Sequence, residues 1–96
     1  MNTNPKTETV PWKIPDTLKY EILKMSRYFS PIYDMPKYLI LPNNTHIKIN
    51  NVKELLENLD DFFNETPISR FINYKIYSRV ESTSISIELI PLVQSA

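Results

Sequence analysis

The feature that most constrains this chain is that none of its 96 residues is glycine. Glycine supplies backbone conformations that other residues adopt only at a cost, above all positive φ angles. Phosphate-cradling loops, dinucleotide-binding fingerprints and the strained turn that carries a catalytic serine all depend on it. The sequence therefore excludes these sites.

The chain also has no cysteine and a single histidine, His46. Disulfides, thiolate metal sites, cysteine nucleophiles and multi-histidine metal sites within one chain are thereby excluded. We expect His46 to be an exposed turn residue, because no orienting partner or nucleophile lies near it. Asp60 and Asp61 point about 100° apart on a helix and do not converge on one ion. The sequence thus predicts no catalytic residue, metal or cofactor, and a protein that is not an enzyme.

Charge is balanced in total but unevenly distributed. Eleven basic residues match eleven acidic ones, which argues against the strongly basic surface of a DNA-compacting protein. Residues 1–53 carry eight basic and four acidic side chains, whereas residues 54–96 carry three and seven. Two interpretations stay open: an asymmetry that steers association, or two helices whose solvent faces differ in charge.

The length predicts one domain over residues 14–92, with a flexible arm at 1–13 and a C-terminal tail at 93–96. Part of the arm, residues 7–10, is able to add an edge strand. The N-terminus lacks a signal-peptide core and no apolar run reaches the length of a membrane span, so we expect a cytoplasmic protein. A composition rich in Asn, Lys, Ile and Tyr is what AT-rich coding sequences tend to produce, which points to a phage, virus, plasmid or AT-rich bacterium as the source. For a viral protein the expected compartment is the host cytoplasm.

Apolar spacing predicts two helices. The first begins at Pro15-Asp16 and ends before Pro31, and its apolar residues recur at offsets of three and four. The second begins after Asn51, a candidate N-cap with Glu54 three residues on, and ends before Pro67. Members of the two apolar stripes are Leu18, Ile22, Met25 and Phe29 in the first helix, and Val52, Leu55, Leu56, Leu59, Phe62 and Phe63 in the second.

Alternating residues predict two hairpins. Residues 37–41 and 46–49 flank a two-residue Asn43-Asn44 turn, a register that directs Leu39 and Leu41 away from the helices. The other hairpin joins residues 72–80 to 83–89 through Glu81-Ser82. The predicted fold is α+β: a two-layer sandwich in the order α-β-β-α-β-β, with a four-stranded antiparallel sheet and both helices on one face.

Exposed apolar residues predict a protein-binding module, such as an adaptor, inhibitor or regulator, that forms a homodimer. Phe71 and Ile90 are also expected to face outward, and the alternative is that the N-terminal arm covers the patch. The partner-binding candidates are Leu39, Leu41, Tyr28, Tyr33 and Met35.

A second hypothesis is a nucleic-acid-binding regulator. Basic and aromatic residues on an open sheet face are suited to neutralising phosphates and stacking bases. The first helix adds a small basic cluster. The candidates are Lys48, Lys75, Tyr77 and Arg79 on the sheet, with Lys24 and Arg27 on the helix.

Overall fold

A computed structural model of the chain describes residues 14–92. The predicted arm, its edge strand and the tail lie outside these residues. The order of helices and strands is as predicted, with two 3-10 helices besides: Met25–Phe29 takes the place of the last part of the predicted first helix, and Pro67–Phe71 follows the second. The α-helices are α1 (Asp16–Lys24) and α2 (Val52–Glu65), and the strands are β1 (Lys37–Ile40), β2 (His46–Ile49), β3 (Tyr74–Val80) and β4 (Ile85–Pro91).

The fold is α+β, but its sheet is mixed rather than antiparallel. The strands lie in the order β2-β1-β4-β3. Both hairpins are antiparallel, whereas β1 and β4 pair in parallel, so the predicted antiparallel sheet was wrong. The physical reason is burial. Strand β4 carries three buried apolar residues and β1 carries the buried Leu39, so these two strands lie at the centre of the sheet. The strands that carry exposed lysine and arginine form the edges, where charge discourages pairing with another chain.

The first hairpin has a register shifted by one residue from the prediction. Leu39 lies opposite Ile47, and the Leu41 N–H donates to the Thr45 carbonyl at 3.0 Å. The loop is therefore one residue longer than predicted, and its last residue, Asn44, adopts a φ of 69°. Three-residue hairpin loops place a left-handed residue at this position.

A shift of one residue exchanges the two faces of a strand. Leu39 and Leu41 are 0% and 7% exposed and belong to the core, so their predicted outward orientation was wrong. Tyr38 and Ile40 take the opposite face, and the physical cause is the single additional loop residue.

The second hairpin is shifted by two residues, which keeps each side chain on its predicted face. Ile76 lies opposite Leu89, and the Glu81 N–H donates to the Ser84 carbonyl at 2.9 Å, so the turn centres on residues 82–83 rather than on Glu81-Ser82. Ile76 is buried, whereas the neighbouring Lys75 and Tyr77 are exposed. Lys75, Tyr77 and Arg79 therefore remain on the face opposite the helices.

Both helices pack on the same face of the sheet and share one core. The Asn51 side chain caps α2 by accepting the Glu54 N–H at 2.8 Å, and the Glu54 carboxylate accepts the Asn50 N–H at 2.8 Å. No helix within residues 14–92 is long and apolar enough to cross a membrane. The central core side chains are Ile22, Leu39, Ile49, Leu55, Leu59, Phe63, Ile85, Ile87 and Leu89.

Candidate binding surfaces

The five predicted partner-binding residues do not form a surface. Leu39, Leu41 and Tyr28 are buried. Tyr33 and Met35 are half-buried and pack against the core. The rings of Tyr28 and Tyr33 meet edge to face with centroids 5.2 Å apart, a favourable arrangement for aromatic pairs. All five residues therefore belong to the core or pack against it.

The Tyr28 hydroxyl forms hydrogen bonds with two other side chains. Its hydroxyl lies 3.0 Å from the Ser78 hydroxyl and accepts a hydrogen bond from Arg27 Nη2 at 2.8 Å. The hydrogen bond with Ser78, assisted by Arg27, lowers the pKa of Tyr28 below its usual value. Arg27 is therefore engaged within the domain.

The other basic residue of the predicted helical cluster is also paired. Lys24 Nζ lies 3.3 Å from a Glu21 carboxylate oxygen and 4.9 Å from the centre of the Tyr20 ring. Lys24 and Arg27 lie in the helical layer, whereas Lys48, Lys75, Tyr77 and Arg79 belong to the sheet. The predicted nucleic-acid-binding residues therefore do not form one surface, because the two helical residues and the four sheet residues lie in different layers.

The sheet face opposite α1 and α2, here called the outer face, carries side chains in register across all four strands. No helix of residues 14–92 covers it. Tyr38 lies opposite Lys48 on one side and Ser86 on the other. The two complete rows are Lys48, Tyr38, Ser86 and Arg79, then His46, Ile40, Glu88 and Tyr77.

Sequence reasoning missed Tyr38 on this face because it assumed the shorter turn. The proline before Asn43-Asn44 was the available signal for a longer loop. With Tyr38 included, the outer face carries two tyrosines, Tyr38 and Tyr77, where one was predicted. Lys75 also faces outward, opposite Ile90.

Charge is divided between the two layers. The outer face carries three lysine or arginine residues and one carboxylate, Glu88. Helix α2, in the other layer, carries five carboxylates and one lysine. Arg79 is 3.6 Å from Glu81 in an exposed ion pair, which is weak in water. The outer face is therefore the more positive of the two sides.

A second surface, here called the apolar end, lies where β3 begins and β4 ends. Phe71 is 86% exposed and Ile68 is 67% exposed. The Leu92 N–H donates to the Asn73 carbonyl at 2.8 Å, which joins the two strand ends. The exposed apolar residues of this end are Ile68, Phe71, Ile72 and Leu92.

An open cavity of about 330 Å³ adjoins these residues. Apolar walls come from Leu18, Phe63 and Leu92, and polar atoms from Ser69 and Arg70. The full lining is Pro15, Thr17, Leu18, Phe63, Ser69, Arg70, Ile72, Asn73, Tyr74 and Leu92.

The 3-10 helix that carries Phe71 is fixed to the end of α2. Arg70 Nε donates to the Phe63 carbonyl at 3.1 Å, and Arg70 Nη2 donates to the Asn64 side-chain oxygen at 2.9 Å. A cation is favourable at a helix C-terminus, where carbonyl groups lack partners. Burial raises the pKa of Tyr74 in the cavity wall, partly offset by its hydrogen bond with Ser69. Phe71 thus projects from a fixed segment.

Within residues 14–92, no three His, Asp or Glu side chains lie close enough together to hold a metal ion. No protein-family model, curated protein or solved structure matches the chain.

Proposed function

We propose that this protein is a small non-enzymatic protein-binding module, an adaptor, inhibitor or regulator, that binds through its apolar end. The observation that carries the proposal is the 86% exposure of Phe71 on a segment fixed by Arg70. A large aromatic side chain held outward on a fixed backbone loses little conformational freedom when it is covered.

The energy available at this end suits an interface. Fully burying a Leu, Ile or Phe side chain contributes about 1.5–3 kcal/mol, and Ile68 and Leu92 are exposed beside Phe71. Interfaces concentrate their binding energy in a few such anchors that fill pockets. Here a protruding ring and an open cavity lie side by side.

The occupant that fits this arrangement is a second copy of the chain. A two-fold interface brings the same patch of both copies together, so each must supply both a projection and a recess. The apolar end supplies Phe71 and, beside it, a cavity of about 330 Å³. An apolar cavity of about 150 Å³ already accepts benzene, so the recess has room for a phenyl ring.

Sedimentation velocity over a range of protein concentrations tests this proposal. We expect the wild-type protein to dimerise and Phe71→Ser to remain monomeric. The matched control is Ile32→Ser: Ile32 is 84% exposed, and it precedes β1, whose first residue pairs with the first residue of β4. Ile32 thus lies towards the opposite end of the sheet, and its variant is expected to dimerise.

Two results would overturn the proposal. One is a wild-type protein that stays monomeric at every concentration. The other is a dimer that Phe71→Ser and Ile32→Ser weaken equally, because a specific contact at the apolar end depends on Phe71 alone. Both substitutions are at exposed positions, so we expect both variants to remain folded. Circular dichroism of each variant checks this.

A further inference from the structure

We propose that the outer face of the sheet binds single-stranded nucleic acid, at a site separate from the apolar end. The inference goes beyond the protein-binding function and rests on different residues. Its basis is the register of the four strands, which brings two tyrosines and three basic side chains onto one face.

The two tyrosines are placed to stack on bases. Tyr38 lies on β1 and Tyr77 on β3, with β4 between them. Adjacent strands are about 4.8 Å apart and the two tyrosines lie in neighbouring rows, so their positions on the sheet are separated by about 12 Å. Tyr77 is 48% exposed. A single strand crossing the sheet is able to reach both rings, and stacking on aromatic faces is the usual mode of single-strand binding.

The basic residues stand at the two edges of this face. Lys48 lies on β2 and Arg79 on β3, at opposite ends of the row that contains Tyr38. Lys75 Nζ lies over the Tyr77 ring, 5.7 Å from its centre. A base that stacks on this face of the ring displaces the ammonium group, which then remains close enough to contact the neighbouring phosphate. The acidic helix α2 lies in the other layer and directs a polyanion towards the outer face.

Glu88 opposes phosphate binding on this face. It pairs with Tyr77 on β3 and with Ile40 on β1, and thus lies between the strands that carry the two tyrosines. A carboxylate there repels phosphate but accepts hydrogen bonds from base amino groups. The arrangement favours bases over the central strands of the sheet and phosphates near its edge strands. Glu88 limits the affinity for the nucleic acid.

Fluorescence anisotropy with labelled oligothymidylate, measured across a salt titration, tests the site. Three phosphate contacts predict that log K falls with log salt at a slope of about −2. Lys75→Gln with Arg79→Gln is expected to reduce the slope to about −0.7, because one contact remains. Tyr77→Leu is expected to weaken binding by about 5- to 150-fold through lost stacking. Glu88→Gln is expected to tighten it.

The matched control removes the same charge from the helical layer. Lys19→Gln with Lys53→Gln changes two exposed lysines of α1 and α2 and is expected to leave the slope near −2. Phe71→Ser is also expected to bind the oligonucleotide normally, which separates this site from the apolar end.

Three outcomes would overturn the inference. The first is a wild-type protein that does not bind oligothymidylate at low salt. The second is an equal loss in the control pair and in the Lys75/Arg79 pair, which would indicate diffuse attraction. The third is tighter binding to a duplex of the same length, because duplex bases are already stacked on each other and do not need the tyrosines.

Discussion

The hydroxyl groups of Tyr28 and Ser78 lie 3.0 Å apart and join the first 3-10 helix to edge strand β3 across 50 positions of the chain. The contact fixes Tyr28 at the end of the core, with Arg27 donating to the same hydroxyl. It explains why the tyrosine-rich segment after α1 does not form an exposed patch. Its polar atoms and rings are used within the domain.

Removing the Tyr28 hydroxyl is expected to destabilise the fold. Tyr28→Phe leaves Ser78 and Arg27 without this partner, and we expect a loss of about 1–2 kcal/mol in the free energy of unfolding. Urea unfolding of Tyr28→Phe, Ser78→Ala and the double variant measures it. A double variant that loses the sum of the two single losses would show that the hydroxyls do not interact.

The cap of α2 gives a second prediction. Asn51→Ala removes the side-chain oxygen that accepts the Glu54 N–H, and we expect it to cost about 1 kcal/mol. Asn51→Asp retains an acceptor and is the matched control, with stability close to that of the wild type. Equal losses in the two variants, measured by urea unfolding, would contradict the assigned cap.

Local signals in the sequence were sufficient for α2 but not for the end of α1, which was predicted to lie just before Pro31 and lies at Lys24. The N-cap at Asn51, the stop at Pro67 and the apolar stripe of α2 lie within a few residues of one another, and each was predicted correctly. Met25 is buried as predicted, although it lies in a 3-10 turn after α1 has ended at Lys24. An apolar stripe depends only on the spacing of residues along one helix, so it can be read without knowing the rest of the fold.

The strands required information that is not local. The faces of Tyr38 and Leu39 depend on one loop residue, and both residues are apolar enough to be buried, so alternation did not decide between them. The parallel pairing of β1 with β4 depends on which strands are most apolar relative to all the others. The apolar end was anticipated only at Phe71, because its cavity arises where four separate segments meet.

The loop of the first hairpin provides a third prediction. Asn44 has a positive φ of 69°, a conformation that costs most residues with a Cβ about 1 kcal/mol and that asparagine, aspartate and glycine adopt more easily. We expect Asn44→Ala to lower the free energy of unfolding by about 1 kcal/mol and Asn44→Gly to be at least as stable as the wild type. Thermal unfolding of the two variants checks this expectation. An Asn44→Ala variant as stable as Asn44→Gly would contradict the three-residue loop.

Alkaline titration of individual tyrosines gives a fourth prediction. The hydrogen bond with Ser78 and the guanidinium of Arg27 lower the pKa of Tyr28, whereas burial raises the pKa of Tyr74. Tyr28 is therefore expected to ionise before Tyr74 as pH rises. Because its folded-state pKa is raised, Tyr74 contributes stability that is fully present below the usual tyrosine pKa and is lost as pH rises through the raised folded-state pKa. Carbon-13 NMR of the tyrosine rings follows each residue, and the reverse order would contradict these environments.

The orientation of β1 decides which of its residues are available for binding, since it removes Leu39 from the candidate interface and adds Tyr38 to the outer face. The most direct test compares the unfolding free energies of Leu39→Ala and Ile40→Ala in urea. Leu39 is fully buried, so we expect a loss of about 2–5 kcal/mol and a smaller loss for the half-buried Ile40. A larger loss for Ile40→Ala than for Leu39→Ala would contradict the register and, with it, the placement of both tyrosines on one face.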